Sequence, residues 1–185
     1  MGSAIAQLLA LDHPAQVASL TIISGTPGGP GHEAADLPEM TPQMTEVFST
    51  EPEEPDWSNR EAVIRYLSES ERPFQGEAFD EDHQRAIASA TVERAQNLAA
   101  NLTNHFMMDP RSPWRQRLGE ITVPTLILHG DADPLFPAEH SEALAREIPG
   151  AQLHLLRRMG HGFPPPAYWP EIVPLLEHHF GTQTN

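Results

Sequence analysis

The residues of this chain that could do chemistry together are two carboxylates and an imidazole in its last third. Asp131 and Asp133 stand in DADPLFP, directly after the apolar run VPTLILHG at 123–130. His161 stands in RMGHGFPPP, directly after AQLHLLR at 151–157. Both runs read as strands, and in an open parallel sheet functional groups gather at the carboxyl ends of strands. A carboxylate that accepts a hydrogen bond from one imidazole nitrogen fixes the tautomer. The other nitrogen can then take a proton from a nucleophile. Gly160 and Gly162 flank His161 and let the backbone turn sharply around the ring. His129 sits at a strand end and reads as a packing or supporting residue. His178 and His179 are adjacent, so they point to different faces of a helix, and no metal site is expected. With no cysteine there is no disulfide, thiolate metal site or Cys nucleophile. With no Gly-rich phosphate loop, no cofactor is expected.

Elements must hold these groups in place. SAIAQLLALDH at 3–13 carries Ile5, Leu8 and Leu9 at helical spacing, with Leu11 off that stripe. His13-Pro14 ends the helix, because a residue before proline avoids the helical region. VASLTIIS at 17–24 is short, β-rich and apolar, and reads as a strand buried on both faces. The character changes at 32–115, which is acidic and has helical stretches at 40–48, 60–70 and 80–102. Ser58 or Asn59 suits the N-cap of the second stretch, and Asp80 that of the third. Helices follow at 138–148 and 169–180, the last with Pro174 inside it. This order (helix, strand, helical insert, strand, helix, strand, helix) predicts an α/β fold with a parallel sheet of about three strands between helices. The expected units are 1–31 (helix and core strand), 32–115 (an inserted helical cap or lid) and 116–185 (core with the Asp and His loops).

Composition narrows the partners. Hydrophobic residues make up 39% of 185, enough for a packed core. The formal net charge is -15 and the positive charge is all Arg, which argues against nucleic acid or an anionic membrane surface. The acidic runs 46–56 and 69–82 read as solvated faces. No apolar run is long enough to span a bilayer, and the first residues lack a signal-peptide pattern, so a cytoplasmic location is expected.

These motifs resemble those of the α/β-hydrolase family. HGDADPLFP resembles its acid loop, where the acid follows a Gly by three residues; that assigns the acid to Asp133, counted from Gly130, and leaves Asp131 as a neighbour. MGH resembles the histidine loop, so His161 would be the general base. The order acid then His also fits. MGSAIAQLLALDHPAQVASLTIIS resembles the segment running from the nucleophile elbow G-x-S-M-G into its helix and the next strand. Met1 and Gly2 then match the last two elbow residues, and the resemblance places the nucleophilic Ser immediately ahead of Met1. It also makes the backbone position of Met1 an oxyanion-hole donor. Within the family the chain looks most like the Ser-dependent esterase branch that includes polyketide methylesterases.

The resemblance implies hydrolysis of an apolar, ester-like small molecule by a Ser-His-Asp triad, without the nucleophile in this chain. Two other readings stay open. The chain could be an inactive remnant or binding module, or its fold could serve an epoxide hydrolase, dehalogenase or cofactor-free peroxidase. Trp57, Phe74, Phe79, Phe106, Met107 and Met108 read first as core of the helical segment. Phe106, Met107 and Met108 are the candidates for lining an apolar substrate pocket. The strand at 17–24 and the first helix are expected to leave an apolar edge and promote self-association.

Overall fold

Prolines and polar caps set most element boundaries. The computed structural model describes residues 1–28, 34–103 and 112–181. Helix α1, Gly2–Asp12, stops at His13, whose φ and ψ of -135° and 49° leave the helical region ahead of Pro14. A 3-10 turn at Pro14–Gln16 follows, then strand β1, Leu20–Ile23. This strand is shorter than expected. Its pairing begins at Leu20 opposite Thr125, the first residue past Pro124, which has no N–H to give a ladder.

Strands β2, Thr125–Gly130, and β3, Gln152–Leu156, complete a parallel sheet in the order β1-β2-β3. The central strand is buried throughout. On β1, Thr21 and Ile23 are only half-buried, so burial on both faces holds for β2 and not for β1. Alternation along β2 divides the core. Ile127 packs with Ile22 of β1, Ala10 and Leu11 of α1, and Leu144 of helix α7, Glu139–Glu147. Leu126 and Leu128 pack on the opposite face with Leu156, Met159 and Ile172 of helix α8, Trp169–Gly181.

Between β1 and β2 the structure is helical: α2 (Pro42–Ser49), α3 (Arg60–Ser70), α4 (Arg72–Gln75), α5 (Glu81–Arg94) and α6 (Leu98–Thr103). Asn59 caps α3, its side-chain oxygen accepting from the N–H groups of Glu61 and Ala62. Asp80 caps α5 by accepting from His83 N–H at 3.0 Å. The single helix expected at 80–102 is two. Ala95 turns extended (ψ 135°), and the Asn97 side chain accepts from Ala100 N–H to start α6. The short α4 was not expected; Pro73 suits its first turn. Among the described residues no helix is long and apolar enough to cross a membrane.

The buried side of α1 is not the stripe its apolar residues draw. Gln7, Ala10 and Leu11 face inward, whereas Ile5 and Leu9 are 45% and 47% exposed. Gln7 can be fully buried because its amide is satisfied. It donates to Thr26 O at 2.9 Å and accepts from Gly28 N–H at 3.1 Å and from the Trp114 indole at 3.2 Å. Ile5 and Leu9 thus face outward, and β1, on which α1 packs, pairs only with β2 among the described residues. Exposed strand edges and apolar patches promote association. Sedimentation velocity is therefore expected to find this chain oligomeric at micromolar concentration. Ile5→Glu with Leu9→Glu should shift it toward monomer. A monodisperse unsubstituted monomer would contradict the prediction.

Candidate active site

The register of β2 on β3 sets Gly130 opposite Leu156, so the loops leaving these strands run side by side. They are stitched together by backbone bonds from Asp131 N–H to Leu156 O (3.1 Å) and from Ala132 N–H to Met159 O (3.0 Å). Asp131 adds a third tie, its carboxylate accepting from Arg158 N–H at 2.5 Å. Its carboxylate thus holds backbone. Gly130 is required here, because a Cβ would run into the carbonyls of Met159 and Gly160.

Asp133 is 3% exposed, and its carboxylate is met by hydrogen-bond donors. One carboxylate oxygen accepts from Leu135 N–H at 2.9 Å and Phe136 N–H at 2.8 Å. The intervening Pro134 has no N–H, so the turn presents its two free amides to the acid. The other oxygen accepts from His161 Nδ1 at 2.9 Å. A proton held on Nδ1 leaves the Nε2 lone pair available as a base. The His161 side chain keeps 23% of its surface exposed while that of Asp133 keeps none. The Phe136 and Phe74 rings flank the imidazole, with centroids 5.4 and 6.3 Å away.

The helical segment takes part in this arrangement. His161 N–H donates to Phe74 O of α4 at 2.7 Å. Gly160 packs against the backbone of Phe74 and Gln75 so closely that a Cβ would collide. Its role is close approach rather than a special torsion. Glu71, next to α4, has its carboxyl pushed above the usual range by the protein crowding it, although much of the residue's surface is open. The His161 charge and a bond from Gln75 act against that shift.

The structure brings together Asp133 and His161, the pair the sequence singled out, and adds two contacts on the histidine loop that sequence reasoning did not give, from Phe74 and Ser24. The Ser24 hydroxyl, at the end of β1, donates to Gly162 O at 3.0 Å and accepts from Gly162 N–H at 3.1 Å. Its place at a strand's carboxyl end was the signal that could have found it. Nothing in ERPFQG marks Phe74, whose contribution is a main-chain carbonyl. Met1 is the half-exposed first residue before α1, its carbonyl accepting from Ala4 and Ile5 N–H. The first turn of α1 lies at the same end of the sheet as His161, since the Ser3 side chain abuts Gly25 just beyond Ser24. Phe106, Met107 and Met108 lie outside the described residues. Cavities of about 510 Å³ beside Arg115 and about 660 Å³ beside Tyr168 are lined by neither Asp133 nor His161.

Comparisons with known proteins agree on the fold. A family model for the alpha/beta hydrolase fold matches residues 1–164. The chain is 26% identical over 194 residues to a rhodomycin D methylesterase of Streptomyces peucetius, a match covering 96% of this chain and 64% of that protein. It is 27% identical over 163 residues to a 2-hydroxy-6-oxononadienedioate/2-hydroxy-6-oxononatrienedioate hydrolase of Cupriavidus pinatubonensis, covering 87% and 53%. Among solved structures it resembles a 2-hydroxy-6-oxo-6-phenylhexa-2,4-dienoate hydrolase from Rhodococcus sp. strain RHA1, with a TM-score of 0.63 at 18% identity, covering 98% of this chain and 61% of that one. This chain thus spans between about half and two thirds of the length of the relatives it matches.

His129 yields a pH prediction. It is fully buried, and Nε2 donates to Phe136 O at 2.8 Å, while Nδ1 has no partner among the described residues. Burial pushes its pKa below the ordinary 6.5, against the opposing effects of the Phe136 bond and the Asp133 charge. Below pH 6.5 the unfolded chain takes up a proton that the folded chain refuses. Stability should therefore hold above that pH and decline by up to about 1.4 kcal/mol per unit as pH falls toward the lowered folded value. Urea unfolding of the wild type and His129→Gln from pH 8 to 5 checks this. The variant should lack that part of the slope; identical slopes would refute the assignment.

Proposed function

We propose, on the premise that this chain belongs to the α/β-hydrolase fold family, that Asp133 and His161 are the acid and general base of a Ser-His-Asp triad cleaving carboxylic esters. The observation that carries the reading is the 2.9 Å bond from His161 Nδ1 to a fully buried Asp133 carboxylate. A charge with no water around it stabilises a positive imidazolium strongly, and it holds the ring so that Nε2 alone meets the reactants.

In this mechanism the nucleophile is a serine immediately ahead of Met1 in the whole protein. His161 Nε2 takes its proton as the oxygen attacks the ester carbonyl. The alkoxide develops within reach of the Met1 backbone N–H, at the positive end of α1. His161 then returns the proton to the leaving alcohol, and water repeats the sequence on the acyl-enzyme. The contact of Phe74 with His161 supports a role for residues 32–115 as a lid that shapes the substrate space. The substrate is an apolar, ester-bearing small molecule, a reading supported by the methylesterase relative. A second reading, hydrolysis of a 2-hydroxy-6-oxo-dienoate, is favoured by the relatives named for such substrates.

The test uses the whole protein, with whatever coding sequence precedes Met1, on methyl and p-nitrophenyl esters. Turnover is expected to fall roughly 10³–10⁴-fold in His161→Ala and in Asp133→Asn, with the fold retained. Activity indifferent to His161→Ala, or the lack of a serine codon ahead of Met1, would sink the triad. Turnover of a hydroxy-oxo-dienoate without ester turnover would put the second reading in place of the first.

A further inference from the structure

We infer that Ser24 is a positioning residue for His161, acting through the backbone of Gly162. Two observations meet at this side chain. First, the hydroxyl forms a reciprocal pair with one residue 138 positions away, donating to Gly162 O and accepting from Gly162 N–H. Both main-chain groups of the residue directly after His161 are therefore held by one oxygen. Second, Ser24 is 7% exposed and has a φ of +49°, a left-handed conformation that a non-glycine residue adopts at a cost. Its own N–H is tied to Leu128 O at 3.0 Å, which holds the strained residue at the end of the ladder.

Gly162 explains the need. Its φ of +120° lies where only glycine is comfortable, and glycine has little torsional preference of its own. Without an anchor the chain just past His161 could take many conformations, and the ring would move with it. On the other side, Phe74 O takes the His161 N–H. The imidazole backbone is thus gripped from α4 before it and from β1 after it, while Asp133 fixes the ring itself. Ser24, just past the end of β1, carries the hydroxyl that supplies this anchor.

The inference rests on the reading of His161 as general base, so its test measures the imidazole rather than turnover. Ser24→Gly removes the hydroxyl and also relieves the left-handed strain; Ser24→Ala removes the hydroxyl and keeps the strain. The readouts are the carbethoxylation rate of His161 by diethylpyrocarbonate and the deuterium exchange of the backbone around Gly162, both by peptide mass spectrometry. In Ser24→Gly both should rise about tenfold, while the unfolding midpoint stays at or above that of the wild type and distant peptides exchange unchanged. Unchanged His161 and Gly162 rates in Ser24→Gly would overturn the inference. So would a rise shared by the whole chain, which would mark a merely structural residue. If Ser24→Ala fails to fold, Ser24→Gly carries the test alone. Should no ester turnover ever be found, these rates still decide the role of Ser24.

Discussion

A carboxylate without water must be met on every side by donors, and Asp133 is that carboxylate. Left unpaired, a buried charge would cost several kcal/mol even after relaxation. Two loop amides and one imidazole N–H satisfy it. Each donor imposes a demand on the fold. The amides require the tight turn through Pro134. The imidazole requires the loop after β3 to lie against the loop after β2. That contact requires the parallel register and a residue without a side chain at Gly130. The pair that could do chemistry is in this sense also a structural joint.

A second network does comparable work at the other end of the first crossover. Gln7 sits fully buried in α1 and ties it to the loop at 26–28 and to Trp114. Nearby, Arg115 pairs with Asp36 and Glu147 at once, linking the helical segment to α7. Those bonds hold the Asp36 carboxyl down at about 2. The helical segment meets the α/β core at several places: through Arg115, through Pro38 O on His140, through Thr41 N–H on Pro134 O, through Glu77 on Arg158, and through α4 over His161. The α4 contact brings the backbone of the segment directly onto the histidine loop.

Much of this was legible along the chain. Helix ends followed from residues acting on their own neighbours: His13 before Pro14, and Asn59 and Asp80 as caps. Two errors came from rules that ignore partners. The 80–102 helix broke because Asn97 could cap a new helix more readily than continue the old one. Two of the three stripe residues of α1, Ile5 and Leu9, face outward, while Leu8 packs on the core and a polar residue, Gln7, takes the buried place because its bonding partners lie inside.

The sequence by itself determined the α/β alternation, a parallel sheet of about three strands, and the placing of Asp133 and His161 at two strand ends. Those properties depend on periodicity, proline and glycine chemistry, and short spacings. Only the tertiary structure decided that the two side chains meet at 2.9 Å, that Asp131 holds backbone instead, and that Phe74 and Ser24 grip the histidine loop from opposite sides. The reason is physical. A hydrogen bond between residues 138 apart is set by strand register and layer packing, and no local pattern records which distant oxygen a backbone amide will find.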